Sequence, residues 1–347
     1  MSQAIIPILG AGESGIGAAR LALRHGLSPW VSDRGVIAPN RVDELNALNI
    51  DFESGQHDVK RIVEAGKASG FVIKSPGIPD QTDLIRTLRE ASIEVISEIE
   101  FAARYARTAD QQIVAITGAN GKTTTTALVA AILQDAGCEV ACVGNIGTSW
   151  ARDLADREQP ARFQVVEVSS FQLDGATTFQ PNIAILLNIT PDHLDRYDNA
   201  IENYADSKWR ITARQTENDV LILNADDALS MERWKRGNEG GTRARVVAIS
   251  INQSPEALKN ALDKEGLTPW GWAGVSAGTP HEKESFTIYI PTKNPFTMTI
   301  QELALQGKHN LYNSMAASVA SRVLELRSEG IRESLAQFDA IEHRMEF

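Results

Sequence analysis

The chain alternates short apolar runs with helical patterns, and this alternation begins twice. In the first hundred residues the pattern predicts strands at Ala4–Leu9, Ser28–Ser32 and Phe71–Lys74, with a helix at Gly15–His25. Strands that alternate with helices form a parallel sheet covered on both faces. The sequence therefore predicts an α/β unit, which a helix at Glu98–Tyr105 closes.

The same pattern restarts after a polar connector at 107–112. It predicts a strand at Ile113–Thr117 followed directly by a helix at Thr123–Ala136. The later elements are predicted strands at Val140–Val143, Gln164–Val168, Ile183–Ile189 and Val220–Leu223 and a helix at Leu311–Leu326. In Trp234–Thr299, where Gly, Pro and Asn are scattered, we expect loops and short antiparallel strands. These patterns predict domains at 1–106 and 112–340, with 341–347 as a stub.

Length and charge limit the possible functions. A chain of 347 residues fits two or three domains at about 150 residues each. The net charge of −11 argues against a general affinity for nucleic acid or for anionic membranes. Apolar runs stay far below the roughly 18 residues of a membrane span, so we expect a cytoplasmic protein. Cys138 and Cys142 lack metal or redox spacing, and we expect both to be buried and reduced.

The strongest motif is the Gly-Ala-Asn-Gly-Lys-Thr-Thr segment at Gly118–Thr124, between a predicted strand and a predicted helix. Glycines let backbone N–H groups surround phosphate oxygens, and Lys122 adds a positive charge. Thr123 follows the lysine, where phosphate-binding loops place a hydroxyl that binds Mg²⁺. The loop departs from the usual pattern because its first glycine is replaced by Ile116. It predicts a nucleotide-phosphate site; the plainer alternative is a turn with a solvated lysine.

Chemistry-bearing side chains also follow two other predicted strands. Glu167 lies where an apolar strand ends, and a carboxylate there can hold Mg²⁺ opposite a phosphate loop. Asp192 and His193 follow the next apolar run, and Lys208 comes fifteen residues after His193. Taken singly, Glu167 is equally compatible with an exposed strand end and His193 remains compatible with a structural role. Composition alone indicates that Lys208 is a lysine on the surface of a helix.

A second glycine motif, Gly10-Ala-Gly-Glu-Ser-Gly15, follows the first predicted strand, and Asp33 comes about twenty residues later. This spacing matches the dinucleotide fingerprint and would predict NAD. Many unrelated ligands use the same turn, however. An NAD-dependent oxidoreductase therefore stays open as an alternative.

Together these motifs resemble the Mur ligase family, ATP-dependent enzymes that form amide bonds in peptidoglycan synthesis. The resemblance covers the whole chain. It is carried by Gly118–Thr124, Gly144–Gly147, Glu167–Leu173, Asp192–Tyr197, Lys208, Gly307–Asn313 and Glu342–Arg344. The Ser-Ser-Phe-Gln-Leu and Asp-His-Leu-Asp-Arg-Tyr segments are similar to those of the family's D-glutamate-adding branch.

The resemblance implies a Rossmann-like N-terminal domain for the uridine diphosphate end of the substrate and a central P-loop-type ATPase domain with a parallel sheet. It also implies a third, C-terminal α/β domain that this chain lacks after Phe347. The substrate residues that it implies are Ser14, Asp33, Arg34, Ser75, Pro76, Gly77, Asn145, Ser169 and His193. The implied ATP residues are Gly118, Ala119, Asn120, Gly121, Lys122, Thr123, Thr124, Asn310, Asn313 and Arg344.

The implied reaction activates the carboxylate of UDP-N-acetylmuramoyl-L-alanine with ATP and then joins it to D-glutamate. Lys122, Glu167, His193 and Lys208 would be catalytic, and Thr123, Glu167, His193 and a carbamylated Lys208 would hold two Mg²⁺ ions. The implied partners are small molecules, with no nucleic acid, no membrane and no second subunit. We expect the 347-residue chain to be inactive without the third domain, and a non-catalytic nucleotide-binding protein stays open as an alternative.

Overall fold

The computed structural model describes residues 4–106, 110–237, 241–279 and 282–338. They form two compact units: 4–106 with 143–160 and 169–179, and 110–142 with 161–168 and 180–338. Each unit consists of three chain segments, whereas the predicted domains, 1–106 and 112–340, are continuous; those bounds stay a prediction. The stub 341–347, with Arg344, lies outside the described residues, as does part of the connector 107–112.

Strands and helices alternate along the chain as far as Gly271–Ser276, and two more strands and two helices follow. The strands are β1 (Ile5–Leu9), β2 (Ser28–Asp33), β3 (Asp51–Ser54), β4 (Phe71–Lys74), β5 (Glu94–Ser97), β6 (Gln112–Thr117), β7 (Val140–Gly144), β8 (Phe163–Glu167), β9 (Ile183–Leu186), β10 (Val220–Asn224), β11 (Arg245–Ile249), β12 (Gly271–Ser276), β13 (Ser285–Tyr289) and β14 (Phe296–Thr299). The helices are α1 (Glu13–Arg24), α2 (Pro39–Ala47), α3 (Val59–Ser69), α4 (Asp83–Glu90), α5 (Glu98–Ala106), α6 (Lys122–Asp135), α7 (Trp150–Asp156), α8 (Ser170–Asp174), α9 (Ile201–Trp209), α10 (Ala228–Lys235), α11 (Pro255–Lys264), α12 (Lys308–Val323) and α13 (Ser328–Gln337).

The first unit is built on a five-stranded sheet with the order β3-β2-β1-β4-β5, in which all neighbours are parallel. Apolar side chains of its strands pack against the helices, as Leu9, Trp30 and Val72 do against Ile62 and Leu88. The order reverses at β1, so the carboxyl ends of β1, β2 and β4 lie beside one another. This confirms the predicted Rossmann-like arrangement, in which ligands bind at that edge.

Two later segments complete the first unit. α1 and α7 approach so closely that a Cβ on Gly17 would lie 2.1 Å from the Ser149 hydroxyl oxygen. On α5, the buried carboxylate of Glu100 accepts hydrogen bonds from the backbone N–H groups of Thr177, Thr178 and Phe179 at 2.8–3.0 Å. The segments that hold Asn145 and Ser169 are therefore part of the same compact unit as the glycine turn.

The second unit is built on a nine-stranded sheet, counted over the described residues, with the order β14-β13-β12-β11-β10-β9-β6-β8-β7. Strands β8, β6, β9, β10, β11 and β12 run parallel, and β13 and β14 are antiparallel additions at one edge. α6 and α12 bury Leu128, Val129, Met315 and Ala316 in the core of this unit. This confirms the predicted second α/β unit with a parallel sheet.

The expectation for Trp234–Thr299 is wrong in part. Besides the antiparallel pair, this region contributes two parallel strands, β11 and β12, and a regular helix, α11. Short buried strands such as Arg245–Ile249 have no alternating pattern because both of their faces are covered. Cys142 is exposed and Cys138 is half-buried, so the expectation that both are buried is also wrong. In the described part of the chain, no helix is long and apolar enough to cross a membrane.

A buried carboxyl at the start of α5 makes the stability of the first unit depend on pH. Glu98 is 1% exposed, its Oε1 accepts the Ala151 N–H at 2.6 Å, and its Oε2 has no hydrogen-bond partner among the described residues. Burial raises the pKa of Glu98 to about 8; the Ala151 N–H opposes this shift and the charge of Glu13 adds to it. The fold therefore favours the protonated acid.

We expect Glu98 to lower the free energy of unfolding as pH rises from its unfolded pKa, near 4.5, to its folded pKa. The loss approaches about 1.4 kcal/mol per pH unit and stops above pH 8. Urea unfolding at pH 5, 6, 7, 8 and 9 tests this, with Glu98→Gln compared with the wild type. The difference in unfolding free energy should shift in favour of the glutamine variant with rising pH. Parallel curves would contradict the prediction, and exposed Glu90→Gln is the matched control.

Candidate active site

The loop after β6 has the shape that a phosphate site requires. Gly121 ends the loop at φ +86°, in the left-handed region that favours glycine, and α6 begins at the next residue. A Cβ on Gly121 would lie 2.4 Å from Oδ1 of Asn313. Asn313, on α12, is 4% exposed. The structure thus brings one residue predicted to bind ATP directly against the predicted phosphate loop.

The exit of β9 fixes this loop through Asn188. Its Oδ1 accepts the Asn120 N–H at 2.9 Å, its Nδ2 donates to the Asn120 carbonyl at 3.0 Å, and its backbone carbonyl accepts the Ala119 N–H at 3.0 Å. No motif of the sequence singles out Asn188 as a functional residue. A polar residue directly after the apolar run Ile183–Leu187 was the signal that could have singled it out.

Two lysines converge on one carbonyl group of the loop. Lys122 Nζ donates to the carbonyls of Gly118 and Ala119, both at 3.1 Å. Lys208 Nζ, from α9, donates to the same Gly118 carbonyl at 2.8 Å, although 90 residues separate the two positions. Lys208 is 1% exposed and its Nζ lies 4.5 Å from the centroid of the Tyr204 ring. Lys208 is therefore no solvated surface lysine.

Of the remaining predicted metal ligands, Glu167 is buried and His193 is exposed. Glu167 ends β8, is 2% exposed and is in register with Ile116 of β6, two residues before the loop. Thr123 lies in the first turn of α6 and is half-buried, as is Thr124. The His193 side chain is 57% exposed, has φ +50° and lies 3.5 Å from the Asp192 carboxylate.

No group of three or more His, Cys, Asp or Glu in the described residues is arranged to hold a metal ion. The predicted metal ligands include only two residues of these types, Glu167 and His193, together with the Thr123 hydroxyl and Lys208. Their role as ligands stays a prediction. Asn310 is half-buried on α12 and donates from Nδ2 to the Gln306 carbonyl at 3.0 Å. Arg344 lies outside the described residues.

In the first unit, the glycine turn leaves no room for a side chain at Gly10 or Gly15. A Cβ on Gly15 would lie 1.9 Å from the Gly10 carbonyl oxygen, and one on Gly10 would lie 2.6 Å from Ser75 Oγ. The Asp33 carboxylate holds this turn, since its Oδ2 accepts the Ala11 N–H at 2.7 Å and its Oδ1 accepts the Gly35 N–H at 2.8 Å. Asp33 thus supports the turn.

The other predicted substrate residues of the first unit lie on α1 and on loops that follow strands. The Ser75–Gly77 loop follows β4, and the buried Lys74 supports it by donating to the Ile78 carbonyl at 2.9 Å. The Lys74 ammonium group also lies 3.3 Å from the Asp80 carboxylate. Ser14 is half-buried on α1, and Arg34 and Asn145 are exposed. Ser169 Oγ accepts the Gln172 N–H at 3.3 Å, so this hydroxyl caps α8.

Comparison with known proteins places these motifs in one family. The family described as "Mur ligase middle domain" matches residues 116–321, and the one described as "Mur ligase MurD-like, N-terminal domain" matches residues 4–97. The chain is 42% identical to the UDP-N-acetylmuramoylalanine--D-glutamate ligase of Christiangramia forsetii and 43% identical to that of Porphyromonas gingivalis strain W83. Each alignment covers 98% of this chain and 69% of the relative.

Solved structures show the same fold. The UDP-N-acetylmuramate:L-alanyl-gamma-D-glutamyl-meso-diaminopimelate ligase from Neisseria meningitides aligns with a TM-score of 0.61 at 18% identity, over 98% of this chain and 100% of that one. The UDP-N-acetylmuramate-alanine ligase from Thermotoga maritima aligns with a TM-score of 0.54 at 20% identity, over 97% and 69% of the two chains. With both family matches and relatives above 40% identity, the chain belongs to the Mur ligase family and has a MurD-like N-terminal region.

Proposed function

We propose that this chain is an ATP-dependent ligase that adds D-glutamate to UDP-N-acetylmuramoyl-L-alanine through an acyl phosphate, a step of peptidoglycan precursor synthesis. The relatives with more than 40% identity are named for this activity. The observation that carries the proposal is the convergence of Lys122 and Lys208 on the Gly118 carbonyl, in a loop that Asn188 fixes. Such a loop suits phosphoryl transfer, where catalysis is mainly positioning and charge stabilisation.

The first chemical step brings two anions together. The γ-phosphoryl group passes from ATP to the substrate carboxylate, which forms a P–O bond to the acyl oxygen and releases ADP. Lys122 would turn from the loop carbonyls to the phosphate oxygens and offset their charge, while the backbone N–H groups of the first turn of α6 point toward them. The D-glutamate amine then attacks the acyl carbon, loses a proton and expels phosphate.

Two of the described residues have the chemistry to hold one Mg²⁺ ion. Glu167 is a carboxylate buried beside the loop strand, and Thr123 offers a hydroxyl in the first turn of α6. Hard oxygen ligands of this kind suit Mg²⁺. When bound, the ion would neutralise charge on the phosphate oxygens. We assign Thr123 and Glu167 to it.

A second Mg²⁺ ion would be held by His193 and a modified Lys208. A lysine ammonium repels a cation, whereas a carbamate supplies an anionic oxygen ligand. The modification joins the neutral Lys208 amine to CO₂ with a new N–C bond and releases one proton. The almost complete burial of Lys208 beside the loop supports this proposal, because a carbamate needs shelter from water and a partner cation.

The first unit would hold the uridine diphosphate end of the substrate. Ser14, Asp33, Arg34 and the Ser75–Gly77 loop lie where the carboxyl ends of β1, β2 and β4 meet, and Asn145 and Ser169 belong to the same unit. The glycine turn, which also matched the dinucleotide fingerprint, would then serve the diphosphate. Membership of a ligase family leaves the oxidoreductase alternative without support.

Calorimetry on the 347-residue chain tests the ligand assignment. We expect separate, saturable binding of ATP with Mg²⁺ and of UDP-N-acetylmuramoyl-L-alanine, and no binding of NADH. When the protein as its gene encodes it is incubated with these ligands and D-glutamate, ADP, phosphate and product should form in equal amounts. Binding of both nucleotides without product would favour the non-catalytic alternative, and binding of NADH alone would overturn the proposal.

A further inference from the structure

A cluster of charged side chains joins the glycine turn to the segment that follows the Gly144–Gly147 turn. Arg152 Nε donates to Glu13 Oε1 at 2.7 Å, and its terminal nitrogens donate to the two carboxylate oxygens of Glu44 at 2.6 and 3.2 Å. Arg41 donates to Glu13 Oε2 at 2.8 Å and to Glu44 Oε2 at 3.2 Å. Arg20 donates to Glu44 at 3.2 Å. All five belong to the first unit.

The cluster lies between two of the loops that the proposed function gives to the UDP-bearing substrate. Glu13 is the first residue of α1 and precedes Ser14 within the glycine turn. Arg152 lies in the first turn of α7, seven residues after Asn145. Glu13 Oε1 also accepts hydrogen bonds from the Ser149 N–H and hydroxyl, both at 3.3 Å. One carboxylate thus connects the two loops directly.

The charges of the cluster balance, but only while Arg152 is present. Asp156 accepts a hydrogen bond from Arg20 Nε at 3.1 Å and is the third carboxylate of the cluster, after Glu13 and Glu44. These three carboxylates are balanced by the three guanidinium groups. Burial alone would raise the pKa of Glu13, yet the hydrogen bond and charge of Arg152, together with Ser149 and Arg41, bring it below its usual value. Glu13 is therefore ionised at neutral pH, beside the turn where a diphosphate would bind.

Without Arg152, Glu13 and Glu44 would share Arg41, and their excess negative charge would oppose an anionic ligand. The N-terminus of α1 attracts anions, and an incompletely neutralised Glu13 side chain would compete with phosphate for it and repel it. The Arg152 fork engages Glu13 and Glu44 together, a geometry that lysine cannot reproduce. The two helices also pack closely, since a Cβ on Gly17 would lie 3.0 Å from the Arg152 backbone nitrogen.

We propose that Arg152 is a positioning residue for the UDP-bearing substrate. It neutralises Glu13 and ties the Asn145 segment to the glycine turn, so that both loops meet the substrate in one arrangement. Arg152 does this without contacting the substrate. The inference rests on the proposed function, because it assumes that the two loops bind a uridine diphosphate group.

The test is calorimetric binding of UDP-N-acetylmuramoyl-L-alanine, and separately of ATP with Mg²⁺, to the 347-residue chain. We expect Arg152→Met to weaken binding of the UDP substrate by about tenfold or more and to leave ATP binding within about twofold. The defect should shrink at 0.5 M NaCl, because salt screens the exposed charge of Glu13. Arg152→Lys should fall between wild type and Arg152→Met.

Two further variants separate charge from structure. Glu13→Gln combined with Arg152→Met should bind the UDP substrate more tightly than Arg152→Met alone, because the repelling charge is gone. Arg157→Met removes an arginine that pairs with Asp153 on the same segment, and it should bind as the wild type does. Circular dichroism and thermal unfolding check that each variant is folded.

Different outcomes would contradict the role of Arg152 and the proposed function. The role of Arg152 would be overturned if folded Arg152→Met bound the UDP substrate as tightly as the wild type does. It would also be overturned if Arg152→Met lost affinity for ATP and for the UDP substrate equally, with a defect that salt does not change and that the double variant does not reverse. Failure of the wild type to bind the UDP substrate would overturn the proposed function, and this inference with it.

Discussion

Replacing Lys208 by alanine is expected to reduce the ligation rate by about a thousandfold, which is about 4 kcal/mol of transition-state stabilisation. The substitution removes a buried amine that lies 2.8 Å from the Gly118 carbonyl and, with it, the carbamate oxygen proposed as a Mg²⁺ ligand. Acetate or formate in millimolar concentration should restore part of the rate, because a short acid can fit the space that the lysine leaves. The measurement is the initial rate of product formation in the protein as its gene encodes it.

Lys122→Ala is the matched control for this rescue, because Lys122 contacts the same carbonyl but carries no proposed carbamate. Acids should not restore its activity. Near-normal turnover of Lys208→Ala without any additive would contradict the role of Lys208. If Lys208→Ala is folded but inactive and no acid restores its activity, the proposal that Lys208 carries a carbamate is contradicted.

Lys122→Ala is expected to weaken binding of ATP with Mg²⁺ by about a hundredfold, or about 2.7 kcal/mol. The Lys122 ammonium group donates hydrogen bonds to two loop carbonyls at 3.1 Å. A hydrogen bond from the same group to a charged phosphate oxygen is stronger than these bonds to neutral carbonyls. Stability should change by less than about 1 kcal/mol, since the lysine is half-buried and supports no core packing. Calorimetry and urea unfolding give the two quantities.

Lys264→Ala, an exposed lysine at the end of α11 in the same unit, is the control and should bind ATP as the wild type does. Binding of the UDP substrate should be unchanged in both variants. ATP affinity within threefold of the wild type in Lys122→Ala would contradict the assignment of the Gly118–Thr124 loop.

Much of the fold could be predicted because its signals are local. Gly118 and Gly121 stand between an apolar run and a helical pattern, and the loop lies where they indicate. The strand predicted at Phe71–Lys74 has those bounds in the structure. The helix predicted at Leu311–Leu326 begins three residues earlier, at Lys308, because Gly307 at φ +97° provides the break and the polar residues after it are helical.

The contacts that position the site could not be predicted, because they join distant parts of the chain. Lys208 has no local signal, yet it meets Gly118 across 90 residues and is fully buried. Arg152 and Glu13 are 139 residues apart, and nothing near either residue indicates the other. Glu100 is in an ordinary helical pattern, and its role depends on backbone N–H groups of 177–179.

The most direct test of the central claim follows the oxygen atoms of the reaction. UDP-N-acetylmuramoyl-L-alanine labelled with ¹⁸O at both oxygens of its carboxylate is incubated with ATP, Mg²⁺, D-glutamate and the protein as its gene encodes it. An acyl phosphate requires one carboxylate oxygen to leave with phosphate, so each phosphate released should carry one ¹⁸O and should form only with product. Phosphate without label would contradict the proposal that the chain activates the substrate carboxylate with ATP.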